Sequence, residues 1–239
     1  MSRGYIYIAS NNVGGIKTLD YVREAVFSAT SLKNVDSKAH ITLITDKEIN
    51  EPIFDKIMIT KLSLRSKQDV LNLTPYDNTI YVDTDTYFKE SITDVFQLLE
   101  KYDVAMIHDY ARKRIFRIPE YMAIPEAFSE VNGGIMAYKK NERVSNFLTL
   151  WKNLYNKYKH VVIWDQPSVR MALWYSGVNL YILPIEYNRR SKKTKQKCIN
   201  CKKNGDPRFP KNHLNTKIFH FHGLEGMSNE QMENEAQDF

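Results

Sequence analysis

The sequence predicts an α/β protein built on a mainly parallel sheet with helices on both faces. Three features of the chain carry that expectation. Short apolar runs of strand length recur along it, stretches with apolar residues at helical spacing lie between them, and polar or glycine-bearing turns separate the two kinds. At 239 residues, 43% of them hydrophobic and 12% aromatic, the chain can bury one substantial core, so a single domain over 1–239 is expected.

In chain order, residues 5–9 form a continuous apolar run, as expected of a strand covered on both faces. The polar stretch 10–15, containing Gly14 and Gly15, ends it. Tyr21, Val22, Ala25, Val26, Ala29 and Leu32 then recur at intervals that lay one apolar stripe along a helix. Strands follow at 40–45 and 56–59, a short helix around 67–73, and a strand at 79–82. Ser91 to Asp94 offer a short polar side chain and an acid for the start of a helix reaching 101. Residues 104–107 form the next strand, and the Pro- and Arg-bearing segment 111–129 is irregular. Residues 131–138 return as a strand interrupted by Asn132-Gly133-Gly134, and 144–158 is an amphipathic helix rich in aromatics. Asp165 at a helix N-cap with Pro167 just inside starts another helix over 165–174. Residues 180–183 and 218–221 are late strands.

The net charge of +6 admits nucleic acid, a phosphorylated small molecule or an anionic membrane surface as partners. The charge is unevenly placed. A basic loop at about 189–212 runs from Arg189 and Arg190 through Lys192, Lys193, Lys195 and Lys197 to Lys202 and Lys203, and an acidic tail occupies about 225–239. Most of the basic block reads as solvated loop. The first apolar run is far shorter than the roughly 18 residues of a membrane span, and no small-residue cleavage site follows it. Cys198 and Cys201 lie too close together to staple a fold of this size, which suits a reducing compartment. A soluble cytoplasmic chain is therefore expected. With His213 the two cysteines make three candidate zinc ligands, with His220 or His222 available as a fourth, although incidental loop thiols explain the pair more simply.

Chemistry concentrates at Asn78-Thr79-Ile80-Tyr81-Val82-Asp83-Thr84-Asp85-Thr86-Tyr87-Phe88, where two carboxylates enter an otherwise apolar, β-branched run. In extended chain Asp83 and Asp85 leave the same side about 6–7 Å apart, close enough to share one hard cation. A strand end with an Asp-bearing turn accounts for the same letters. Ligands of an open α/β sheet bind beyond the carboxyl ends of its strands, so Ser10-Asn11-Asn12 and Asp83-Thr84-Asp85 can line one crevice. Gly14-Gly15 matches neither the dinucleotide fingerprint nor the P-loop.

The run 73–85 resembles the metal-binding region of the GT-A nucleotide-sugar glycosyltransferases, particularly the family-eight type that includes glycogenin and the lipopolysaccharide galactosyltransferases. Three further stretches arrive in that family's order: Val131-Asn132-Gly133-Gly134 resembles its Asn-x-Gly strand, Trp164-Asp165-Gln166-Pro167 its Asp-Gln helix start, and Ile218-Phe219-His220-Phe221-His222-Gly223 its His-Phe-x-Gly. The resemblance covers roughly 5–223. It implies a Rossmann-like GT-A fold and a metal-dependent transferase moving a sugar from a nucleoside diphosphate, UDP foremost, to a hydroxyl of a glycan. Retention of anomeric configuration is the family's lean, while Asp165 as a base is also compatible with inversion.

Carried across, Asp83, Asp85 and His220 would hold Mn2+ or Mg2+, with His222 as a substitute for His220. An imidazole tilts the preference towards manganese. Ala9, Ser10, Asn11, Lys67, Thr84, Asn132 and Gly133 would line the donor, and Asp165 and Gln166 would sit at the reacting carbon. A cation bridging both phosphates stabilises the leaving diphosphate as the glycosidic bond breaks. Arg65 and Lys67 stand where the family places a cation on the donor; either also fits a solvated helix face. The family's Lys-Pro-Trp after the final motif is replaced by Leu224-Glu225-Gly226-Met227, which leaves one diphosphate-binding cation unassigned. Two rival readings stand beside this one. A nucleic-acid-binding protein would use the basic loop with a zinc knuckle, and a sugar nucleotidyltransferase would need a better phosphate loop than Gly14-Gly15-Ile16-Lys17.

Overall fold

The sheet order follows from which strands are apolar on both faces. Strand β1 (Arg3–Ile8) lies between β2 (Ile41–Thr45) and β4 (Asn78–Val82), parallel to both, and β3 (Lys56–Ile59) extends the β2 edge. On the far side β7 (Val131–Lys139) joins β4 to β6 (Val104–His108), which carries β8 (Leu180–Leu183) at the other edge. The seven-stranded order is β3-β2-β1-β4-β7-β6-β8. All pairings in it are parallel except the two made by β7, which runs against its neighbours. The computed structural model describes residues 1–10, 20–62, 67–109, 117–190, 216–221 and 227–237. Asn11, Asn12, Gly14, Gly15, Arg65, the basic residues 191–215 with Cys198, Cys201 and His213, and His222 lie outside them.

Strand alternation splits the core in two. Tyr5, Tyr7, Ile41, Leu43, Ile80 and Val82 face one side, where Ala25, Ala29 and Leu32 of α1 (Tyr21–Val35) pack on them. Ile6, Ile44, Tyr81, Met106 and Met136 face the other. That side is covered by Phe147, Leu148 and Trp151 of α5 (Glu142–Tyr158) and by Val169, Ala172 and Leu173 of α6 (Gln166–Ser176). The expected helix pattern is met here, and side-chain caps fix two starts: Asp20 accepts from the Arg23 amide, and Asn141 from the Val144 amide.

Several expectations shift. The helix at 67–73 is one turn of α-helix, α2 (Lys67–Val70), followed by a 3-10 turn, Leu71–Leu73. The helix expected from Ser91 shrinks to α3 (Val95–Leu98). A short α4 (Pro119–Met122) lies within the segment read as irregular. The interruption in β7 is a slip in its pairing with β6: Met106 pairs with Met136, but Ile107 pairs with Asn132, so the glycine-bearing stretch bulges on that side. The acidic tail contains α7 (Asn229–Gln237), pinned by Met232 against Phe27, Phe219 and Phe221.

A second, three-stranded sheet went unread in the sequence because two of its strands are so short. It orders β5 (Thr86–Phe88), β10 (Ile218–His220) and β9 (Arg189–Arg190), with His220 opposite Thr86. Among the described residues, no helix is long and apolar enough to cross a membrane.

Trp151 is buried, donates its ring N–H to Ser168 at 3.2 Å and stacks on Phe147. Trp151→Ala is expected to cost about 3–5 kcal/mol in urea unfolding.

Candidate active site

Strand β4 ends at Val82, and Asp83 to Asp85 form a bend rather than the extended chain expected of them. Three hydrogen bonds to its backbone clamp the bend. The Asp83 amide donates to the Gly134 carbonyl at 2.8 Å, the Thr86 hydroxyl to the Asp83 carbonyl at 3.0 Å, and the Phe221 amide to the Asp85 carbonyl at 2.8 Å. Thr84 is turned the other way, its hydroxyl donating to the buried Glu24 of α1 at 2.8 Å. That leaves Asp83 and Asp85 together on the opposite side.

Pairing of β10 with β5 brings His220 to them. Its Nε2 lies 3.0 Å from Asp85 Oδ1 and 3.9 Å from Asp83 Oδ2. One ligand atom from each of the three residues can be chosen so that all lie within 4.8 Å of one another. Two carboxylate oxygens with one imidazole nitrogen are a donor set suited to a divalent ion such as manganese.

Lys67 closes the other side. Its Nζ donates to Asp83 Oδ1 at 3.1 Å and to the Gly133 carbonyl at 3.2 Å, lies 3.7 Å from Asp165 Oδ2, and sits over the Tyr81 ring. Burial works to lower the Lys67 pKa, but Asp83 and Asp165 together outweigh it and the net shift is upward, so the amine stays charged. Tyr81 donates its hydroxyl to the same Asp83 oxygen. Burial, reinforced by Asp83, raises that phenol well above its ordinary range and keeps it a donor. The two Asp83 oxygens thus have separate duties, Oδ1 towards Lys67 and Tyr81 and Oδ2 towards His220. Asp83, Asp85 and Asp165 against one ammonium leave two negative charges, the complement of one dication.

Asp165 directly precedes α6, yet its side chain makes no capping bond. Its carboxylate points to Lys67 instead, so a capping role does not account for this residue. Gln166 begins the helix with its Nε2 buried and directed at Glu130. Near it, Glu130 and Arg170 form an almost fully buried pair at 3.2 Å, with the Tyr121 hydroxyl also on Glu130. Burial nevertheless pushes the Glu130 carboxyl up.

Of the residues singled out from the sequence, the fold gathers Lys67, Asp83, Asp85, Asn132, Gly133, Asp165 and His220 at one end of β4. Ala9 is buried, and Ser10 just past the end of β1 donates to Asp46 at 2.6 Å. Thr84 faces α1. Three neighbours of the site went unread: Tyr81, Gly134 and Asn188. Alternation by two already puts Tyr81 on the side of Asp83, whereas nothing local marks Asn188.

A family model described as nucleotide-diphospho-sugar transferase matches residues 45–207, a stretch that contains Lys67, Asp83, Asp85, Asn132 and Asp165. The chain belongs to that family. That is the kind of family the motifs implied. Mouse glucoside xylosyltransferase 2 is 28% identical over 136 residues, 49% of this chain and 31% of that protein. Chicken glucoside xylosyltransferase 1 is 26% identical over 171 residues, 63% of this chain and 39% of that protein. The chain therefore spans well under half the length of the curated relatives it matches. The galactosyltransferase LgtC, solved with donor and acceptor sugar analogs, superposes with a TM-score of 0.63 over 99% of this chain and 96% of its own, at 14% identity. Mouse xyloside xylosyltransferase 1 in its apo form superposes with a TM-score of 0.58 over 95% and 100% of the two chains, at 11% identity. At such identities the likeness is one of fold, and the fold is the GT-A type expected.

A Cβ on Gly134 would meet His220 Cε1 at 2.5 Å and Asn132 Oδ1 at 2.9 Å. Gly134→Ala is expected to lose about 1–3 kcal/mol in urea unfolding, with a crystal structure showing the imidazole displaced from the two aspartates.

Proposed function

We propose that this chain is a metal-dependent glycosyltransferase that moves a sugar from a nucleoside diphosphate, UDP foremost, to a hydroxyl of a carbohydrate or glycoconjugate. The observation carrying the proposal is the convergence of Asp83, Asp85 and His220 beside Lys67 and Asp165, in a chain of this family. Charge supports it too, since the four acidic and basic side chains leave the deficit that one dication fills. The packing of both core clusters on opposite faces of one sheet supports reading the described residues as one transferase domain.

In this reading Asp83, Asp85 and His220 hold manganese, or magnesium, which when bound supplies a Lewis acid for the departing diphosphate. Tyr81 and Lys67 fix the Asp83 carboxylate so that one oxygen remains directed at the site. Lys67 also draws Asp165 to the same place, setting a carboxylate where positive charge develops on the sugar carbon as the leaving group departs. Gly133 meets Lys67 through its carbonyl, which accepts from Nζ at 3.2 Å. Ser10, at the end of the strand beside β4, borders the nucleotide side of the same crevice. Gln166, directly after Asp165 at the start of α6, stands in this reading beside the bound sugar, with its side chain backed by Glu130. An LgtC structure carries a glutamine-to-glutamate change at an active-site position, and Gln166 is the counterpart we propose here. Retention is the stereochemical outcome we favour from the family resemblance. Relatives named for xylosyl and galactosyl transfer make UDP-xylose, UDP-galactose and UDP-glucose the first donors to assay.

Three outcomes are expected. UDP with Mn2+ raises the melting temperature of the parent chain, by the equivalent of about 2.7 kcal/mol at 100 times the Kd. Asp83→Asn and Asp85→Asn abolish that shift without altering the circular dichroism. The same variants lower UDP release from the active donor by about 100-fold or more. Stabilisation by a DNA or RNA oligomer that fades steeply with salt, with none from UDP or GDP and Mn2+, would overturn the proposal in favour of nucleic-acid binding.

A further inference from the structure

His220 is held by more than its strand. Its Nδ1 lies 2.9 Å from Asn188 Oδ1, Asn188 Nδ2 lies 2.7 Å from Asn132 Oδ1, and the Gly134 amide reaches Asn132 Oδ1 at 2.8 Å. All three side chains are buried, Asn188 at 1%, His220 at 5% and Asn132 at 8% exposure. The direction of each bond in this chain can be derived. A backbone N–H can only donate, so the Asn132 atom facing Gly134 is its oxygen. The Asn188 atom facing that oxygen is therefore its NH2, and the other end of Asn188 is a carbonyl. A carbonyl can only accept, so His220 Nδ1 carries a hydrogen. In the neutral ring Nε2 then presents its lone pair to Asp83 and Asp85.

We infer that Asn188, locked in turn by Asn132 and Gly134, is a positioning residue that fixes the tautomer and aim of His220 as a metal ligand. The inference rests on the metal reading above and assigns a role to a residue outside every motif considered. The geometry also has a chemical logic. In the neutral ring a lone pair 3.0 Å from a carboxylate oxygen is unfavourable unless a cation lies between, so the relay leaves Nε2 free to take up either a metal ion or a second proton, and in this reading it is the metal that holds it. Asn132 changes duty as well. Its carbonyl is taken up by Gly134 and Asn188, which leaves its NH2 as the group to meet a donor sugar. Gly134 is bound to the same arrangement by space, because a Cβ would lie 2.7 Å from His220 Nδ1.

The test uses the full chain, with Mn2+ as the probe and no sugar donor. Asn188→Leu removes the acceptor for Nδ1–H and is expected to weaken Mn2+ binding by about 10- to 100-fold, measured by electron paramagnetic resonance of free Mn2+. Proton–nitrogen correlation NMR of the metal-free parent, at a pH where the ring is neutral, is expected to show His220 protonated on Nδ1, and Asn188→Leu to lose that preference. Asn188→Asp keeps an acceptor; it is expected to retain the Nδ1–H form and to bind Mn2+ more tightly than Asn188→Leu. Protonation of His220 on Nε2 in the parent or in Asn188→Asp overturns the inference even if Asn188→Leu does not fold. Unchanged Mn2+ affinity in a folded Asn188→Leu overturns the relay while leaving the metal site standing. No Mn2+ binding by the parent overturns both.

Discussion

The meeting of one ammonium with two carboxylates organises this molecule. Lys67 belongs to α2, Asp83 to the bend after β4, Gly133 to β7 and Asp165 to the turn before α6, and the last three converge on the Nζ of the first. Bringing carboxylates together at a strand end is unfavourable through mutual repulsion, and taking a lysine out of water is unfavourable through lost hydration. Each cost is met by the other group's charge. The consequence is geometric as much as energetic, because elements distant in sequence cannot drift apart at this edge without leaving a charge half-buried and unmatched.

The opposite side of the site depends on a different device. His220 reaches the aspartates only because β10 pairs with β5, and the Phe221 amide on the Asp85 carbonyl finishes that pairing at the bend itself. Behind β5 a hydroxyl chain runs from Tyr7 through Ser28 to Thr86, whose Oγ1 donates to the Asp83 carbonyl. Buried polar contacts of this kind act only within narrow geometry. The bend is thus supported from the core of the main sheet and from the small sheet at once.

Much of the fold was legible because its signals are local. The β-branched run ending in Asp83, the apolar stripe from Tyr21 to Leu32 and the aromatic-rich amphipathic run 144–158 each declare an element within a few residues. The candidate site was legible where a motif holds adjacent residues, as at Asp83 and Asp85 or Asp165 and Gln166. It was not legible where pairing across the chain decides the matter. Strands of two or three residues such as β9 and β5 lack a periodic pattern. The reversed direction of β7 is set by its neighbours rather than by its own letters. Thr84 sits in the motif yet serves Glu24, and Asn188 sits in no motif yet touches His220. Propensity has no means of distinguishing them.

The reversal of β7 bears on how such a protein can diversify. A strand parallel to β4 would present its last residues at the crevice, whereas β7 presents its first, so Asn132 and Gly133 open the strand beside Asp83. The segment that leads into β7 therefore arrives from the crevice side, and α5 departs from the opposite edge, where Trp151 and Phe147 secure the core. That segment is itself packed on the helices: Ile118, Tyr121 and Ile124 share a buried cluster with Met171 of α6 and lie against Leu154 and Tyr158 of α5, and Arg170 donates to the Pro125 and Phe128 carbonyls. A change of length there that reshapes the crevice is therefore felt by the same helices that cover the sheet, and crevice shape and folding stability are coupled through one stretch of chain.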